Sequence, residues 1–378
     1  MRGGRVVLVA VLAASLLLVR VGVAWASAGD LDTTFNGTGK VTTAMGSHAA
    51  FANAVAIQSD AKIVAAGEGF FGSAPSVGRF SLARYDADGA LDTTFGSNGT
   101  GKMTTTIGTQ SGALSVAIQS NGKIVAAGGA TVNGHDRFAL ARYDADGTPD
   151  TTFGPHGNGT VTTRLGSKAT ASGVALQTGG KIVAAGGATV NGHDRFALAR
   201  YDADGALDTT FGPRGNGKVT APRIGQFGSY ARALAIQSDG KIVAAGYAKK
   251  NDHAQFALVR FDSQGTLDTT FGPNGNGEVL TQMVGGSFAY AVAIQSDGKV
   301  VVAGWARVKS HDRFALARYD SDGTLDDTFG SHGKVTTVIG SAAFGYALAI
   351  QSDGKIIAAG ATEVSDHHRF TLARYLGE

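Results

Sequence analysis

An all-β fold, a six-bladed β-propeller of four-stranded antiparallel blades, is what this sequence predicts, on three observations. First, one text recurs six times with small departures: A-x-A-[IL]-Q-x-x-G-K-[IV]-[IV]-x-A-G, a variable stretch, F-x-L-x-R-[YF], then D-T-T-F-G. Its glutamines fall at Gln58, Gln119, Gln177, Gln237, Gln295 and Gln351, spaced by 56 to 61 residues, which is a repeat architecture. Second, the apolar runs are short, closed by glycine or Asp-Gly, and rich in valine, isoleucine and aromatics, as strands are and helices are not. Third, this period is too long for the coils of a parallel β-helix and suits four-stranded blades set radially. An open solenoid would need capping repeats with altered faces, whereas the end copies read like the middle ones.

The elements follow in chain order. Arg2 and Arg5, the apolar run from Val6 to Val19 and the small residues Ala26-Ser27-Ala28 read as a secretory signal over residues 1–28. Arg20 interrupts the apolar run and leaves it short for a membrane span, with an uncleaved anchor as the alternative. Residues 29–378 read as one propeller. In the second copy, Leu114–Gln119 is an inner strand and Ser120-Asn121-Gly122 a tight turn. Lys123–Gly128 returns as the second strand and Phe138–Tyr143 makes the third. Turns of this kind need a positive φ, which glycine supplies, and they join antiparallel neighbours. After Asp144–Gly147 the chain runs through Asp150–Phe153 to a fourth strand near Val161–Thr163. The last copy stops at its third strand, Phe370–Tyr375, and residues 31–43 carry spare fourth-strand text. The N-terminal strand is therefore expected to complete the last blade and remove its open edge. If Gly39–Thr43 belongs instead to the first blade, no exchange is needed.

The text is similar to the delta-60 repeat of bacterial surface and secreted proteins. The matching stretches are Leu207–Gly212, Ala235–Gly246 and Phe256–Phe261, and the likeness runs over residues 29–378. The layout also resembles NHL-type propeller repeats. This resemblance implies architecture and export rather than a chemistry. The first copy departs from the pattern: Ala61 replaces the turn glycine, and Gly67–Gly78 is longer. Residues 123–147 and 181–205 are identical, as recent duplication leaves them.

Charge narrows the partners. Three of the 33 Lys+Arg lie in the first 28 residues, leaving 30 against 30 Asp+Glu. A neutral body offers no electrostatic case for nucleic acid or an anionic membrane surface. No cysteine is present, so neither disulfides nor thiol catalysis enter.

Each copy pairs an arginine with an acid across the following turn: Arg84 with Asp92, Arg142 with Asp150, Arg200 with Asp208, Arg260 with Asp268 and Arg318 with Asp326. Arg374 would take Asp32 if the ring closes. A guanidinium forking onto a carboxylate in every copy is read as structural. The Asp-x-Asp-Gly turns, such as Asp86–Gly89 and Asp202–Gly205, share part of a calcium-loop text but lack its further oxygen ligands. Turn chemistry is the simpler account, and no cofactor is expected. His135, His193, His253 and His311 each stand beside an aspartate between the second and third strands, too far apart around a ring for one metal.

No nucleophile elbow, phosphate loop or glutamate pair is written in the chain, so no catalytic residue is assigned. The copies diverge on one rim, where aromatics gather: Phe70, Phe71, Phe227, Tyr230, Tyr247, Phe288, Tyr290, Trp305, Phe344 and Tyr346. Loops on a rigid scaffold are where binding usually sits. The rim ligand candidates are Trp305, Tyr247, Tyr230, Phe70 and Phe71, with the four histidines. The expected function is a monomeric, non-catalytic binding module for an extracellular glycan or protein. A purely structural surface module, or a hydrolase or lyase at the channel mouth, are the alternatives.

Overall fold

The computed structural model describes residues 32–73, 75–364 and 367–377; the segment read as a signal lies outside them. It is an all-β propeller of six antiparallel meanders, five with four strands and one with three. Blade one comprises Ala50–Ile57, Ile63–Phe71, Val77–Tyr85 and Lys102–Thr105, and blade two begins at Gln110–Ile118. Blade three comprises Ala169–Leu176, Ile182–Val190, His193–Tyr201 and Lys218–Thr220, blade four Ser229–Ile236, Ile242–Lys250, His253–Phe261 and Glu278–Thr281, and blade five begins at Ser287–Ile294. The first strands of successive blades lie against one another, so they form the innermost layer.

The alternation of the repeat text is explained by what each strand touches. In blades two to five the second and third strands are covered on both faces by neighbouring blades. Between blades three and four, Phe196, Leu198 and Phe211 pack on Ile242, Ala244, Ala257 and Val259, all fully buried. Fully burying such a side chain contributes about 1.5–3 kcal/mol, and alanine on the facing strand lets the sheets approach. Every innermost strand carries one extra residue, a bulge: Asn53, Leu114, Ser172, Arg232, Tyr290 and Tyr346 in turn. The bulge drives a carbonyl toward the second strand. A Cβ on Gly246 would lie 1.9 Å from the Tyr230 carbonyl oxygen, which is why the motif ends in A-A-G.

The junctions within blades one to five share one set of latches, except that Phe261 takes the place of the latching tyrosine between blades three and four. Phe211 of D-T-T-F slides under the Gly265 turn of the next blade, where a Cβ would stand 2.6 Å from its ring. The Gly212 amide donates to the Gln264 carbonyl at 2.7 Å, and the Tyr201 hydroxyl donates to Thr163 of the preceding blade at 2.7 Å.

The sixth blade corrects the expectation of strand exchange. Its three strands, Ala342–Ile350, Ile356–Val364 and His367–Tyr375, have no fourth partner, and residues 32–49 form no strand. Among the described residues no hydrogen bond joins this blade to the first. The N-terminal segment instead lies on blade one as a preceding blade's outer strand would. Phe35 sits beneath Gly89, the Asn36 amide donates to the Asp88 carbonyl at 2.5 Å, and the Tyr85 hydroxyl donates to Thr43 at 2.7 Å. Half of the closing junction is thus built. Among the described residues the other half is not, since the third strand of blade six pairs with no fourth strand.

Candidate functional site: an aromatic belt on the inner strands

The repeated polar residues are engaged in ion pairs and hydrogen bonds within and between blades. Arg200 donates from Nε to Asp208 at 2.8 Å, lies 4.5 Å over the Phe211 ring, and donates from Nη1 to the Ser263 carbonyl of the next blade. Arg84, Arg142, Arg260 and Arg318 repeat this with Asp92, Asp150, Asp268 and Asp326. A lysine from the G-K step, which the sequence reading passed over, joins each pair: Lys181 Nζ is 2.9 Å from Asp208. Burial pushes the Asp208 carboxyl up, but hydrogen bonds from Thr210 and Lys181 and the Arg200 charge outweigh it and hold it well below the usual carboxylate range. The sixth pair does not form. Arg374 is exposed, and Asp32 accepts from its neighbour Thr34 at 2.9 Å and 2.6 Å.

The Asp-x-Asp-Gly oxygens are taken by the turn itself. Asp202 accepts from Lys181, and Asp204 accepts from the Ala206 amide at 2.9 Å. The histidines head the third strands: His135 opposite Val132, His193 opposite Val190, His253 opposite Lys250 and His311 opposite Val308. Among the described residues no three metal-capable side chains come together. Gln177 reaches across a junction, donating to the Gly240 carbonyl at 2.9 Å, so this glutamine ties blades together.

The rim loops are shorter than the sequence suggested. Asn133-Gly134, Asn191-Gly192, Asn251-Asp252 and Lys309-Ser310 are two-residue hairpin turns with both φ positive. The aromatics therefore sit on strands. Tyr230, Phe288, Tyr290, Phe344 and Tyr346 are on innermost strands; Tyr247 and Trp305 are on second strands. They form a continuous belt over blades four to six. Ring centroids are 6.5 Å apart for Tyr230 and Tyr247, then 4.8 Å to Phe288, 4.8 Å to Trp305 and 5.6 Å to Phe344. Tyr346 extends it, 5.4 Å from Tyr290 and 49% exposed, while the other rings are half-buried. The corresponding second-strand positions of blades two and three are Gly129 and Gly187. The absence of a side chain at Gly187 is what seats Tyr230, whose ring would stand 2.1 Å from a Cβ there.

Phe70 and Phe71 form a separate group in blade one, Phe70 packing edge-on against Phe51 at 6.3 Å and Phe71 lying beneath Arg79 at 4.7 Å. A cation enters the belt that the sequence reading did not single out, and the Asp194 carboxylate acts on Tyr247 from the preceding blade. Arg232 fills the bulge of blade four, its guanidinium carbon 4.8 Å from the Tyr230 centroid and 5.6 Å from that of Tyr290. Burial raises the Tyr247 hydroxyl, against the charge of Arg232. The belt offers π-faces, tyrosine hydroxyls and one cation, which suits stacking and hydrogen bonding to a ligand.

Comparison with known proteins bears on the scaffold. The family described as "Domain of unknown function (DUF5122) beta-propeller" matches residues 58–95, 119–153, 177–211, 237–271, 295–329 and 351–377, more than half of the chain. No curated protein matches. Among solved structures, a protein of unknown function from Dyadobacter fermentans is similar at 12% identity and a TM-score of 0.48, over 86% of this chain and 93% of that one. Sqt1 from Chaetomium thermophilum is similar at 13% identity and a TM-score of 0.45, over 84% and 68%.

Proposed function

The chain belongs to the DUF5122 beta-propeller family, and on that scaffold we propose an exported, non-catalytic binding module that holds an extracellular glycan. The observation that carries this reading is the aromatic belt. The rings are held against one another on a rigid sheet, at interplanar angles from 13° for Tyr230 and Tyr247 to 82° for Trp305 and Phe344, and a ring fixed in this way can stack on the C–H face of a pyranose at little further ordering cost. The non-catalytic part draws on the repeated carboxylates: Asp92, Asp150, Asp208 and Asp326 are buried in ion pairs that hold junctions, away from the belt. Export draws on the signal-like text of residues 1–28 and on the likeness to delta-60 repeats of secreted and surface proteins.

The test is an array of cell-wall and extracellular glycans probed with purified protein. A selective hit weakened roughly tenfold or more by Trp305→Ala and by Tyr247→Ala, with the unfolding transition retained, supports the belt as the site. A blank array, or a hit indifferent to both substitutions, removes it; protein capture would then be the reading to pursue.

A further inference from the structure

We propose that Arg232 makes the belt selective for an acidic sugar, its guanidinium receiving the carboxylate while the flanking rings stack on the saccharide. This rests on the glycan reading above and adds the chemical class. Five observations converge on Arg232. The bulge position it fills holds no other charge in the six blades: Asn53, Leu114, Ser172, Tyr290 and Tyr346 stand there instead. Its guanidinium lies over three tyrosines, 4.8 Å from Tyr230, 5.6 Å from Tyr290 and 5.9 Å from Tyr247. Its Nε is buried and has no hydrogen-bond partner. Among the described residues no carboxylate lies within ion-pairing distance of it, whereas Arg84, Arg142, Arg200, Arg260 and Arg318 each hold an aspartate. Finally, the rings that would stack on a sugar are the same ones that flank the cation.

The physics runs from those facts. A guanidinium withdrawn from water without a counter-ion is costly, and the tyrosine quadrupoles repay only part of it. An arriving carboxylate meets a planar fork of donors that matches its two oxygens and can complete the unmade bonds. Half-burial lowers the local dielectric, so the pair is stronger than on open surface. A neutral sugar could stack on the same rings but would leave the cation unpaired. Selectivity for the acid therefore comes from the group left unsatisfied by its competitor.

The experiment measures binding of trigalacturonate, its methyl ester and a neutral galactose trisaccharide to the full exported chain, by calorimetry. Native protein should bind the acid roughly tenfold or more tightly than the ester, with the preference shrinking as salt rises. Arg232→Gln should bring the acid to the level of the ester and leave the ester nearly unchanged. Arg232→Lys, which keeps charge but loses the fork, should fall between. An unchanged unfolding midpoint in Arg232→Gln checks that the site is intact; if that variant fails to fold, Arg232→Lys and the acid-to-ester ratio of the native protein decide. Equal binding of acid and ester, or equal weakening of both by Arg232→Gln, overturns the proposal while leaving the glycan reading in place. Binding of none of the three overturns the acidic-sugar proposal, and the glycan array then decides the broader reading.

Discussion

At the junction of blades three and four, Phe196 and Leu198 vanish from solvent; at the free edge of blade six, Phe370 and Leu372, at the matching positions, stand 104% and 72% exposed. Arg200 is buried against Asp208 and the next blade, while Arg374 is exposed. On the other side of the seam, Phe51, Val55 and Ile57 of blade one are also exposed. Closely similar strand text thus has opposite environments, and the deciding variable is whether a following blade arrives. The repeat encodes two complementary half-interfaces per blade, and a junction exists only where both halves meet. Exposed apolar area of this kind is the surface a further contact would cover.

The comparison can be broken most directly by truncation. Phe196→Ala should destabilise by about 3–5 kcal/mol, from lost transfer energy and the cavity left behind. Phe370→Ala should lie within about 0.5 kcal/mol of native, as surface changes do. Denaturant midpoints measure both, and a cost at Phe370 equal to that at Phe196 would mean the seam is covered in solution.

A smaller effect separates the ion pairs. Asp92, Asp150, Asp208 and Asp326 are held well below the usual range by their hydrogen bonds and by Arg and Lys charge, against burial, and Asp268 is held at about 2. A folded-state pKa below the unfolded one contributes stability that is present above about pH 4 and lost as pH falls through the folded value. The unfolding midpoint should therefore be flat from neutrality to about pH 5 and drop in acid. Asp208→Asn should lower stability at neutral pH by about 3 kcal/mol, stranding Arg200, and flatten the acid limb. Asp32→Asn, at the unjoined seam, should leave stability at neutral pH nearly unchanged, since the Asp32 carboxylate is hydrogen-bonded only by its neighbour Thr34; a loss near that of Asp208→Asn would place Asp32 in a pair.

The smallest effect is local. Ala61 holds φ +67° at the turn where other copies have glycine, a conformation costing an L-residue about 1 kcal/mol. Ala61→Gly should raise stability by about that amount, read as a midpoint shift, and the identical turn at Gly122 should lose as much on Gly122→Ala.

Much of this molecule was legible because its signals are local and repeated. The Asp-Gly turns, strand runs and Arg–Asp pairs recur at fixed offsets, so one reading serves every blade. The G-K lysines were equally visible as text, yet their role depends on an acid that arrives from across the turn. The rim was misjudged for a similar reason: His135 and His193 look like loop residues until two-residue turns place them at the heads of strands. Arg232 could not be found from sequence, since the bulge that aims it exists only as a mismatch in strand register.

The sequence by itself determined the strands, their order within a blade, the number of blades and the chemistry of each junction, because those follow from short-range periodicity and turn residues repeated along the chain. Only the tertiary structure decided that aromatics from three blades join into one belt around Arg232, and that the sixth blade stays three-stranded beside an N-terminal segment docked on the first. Both depend on contacts between blades, and no single repeat contains them.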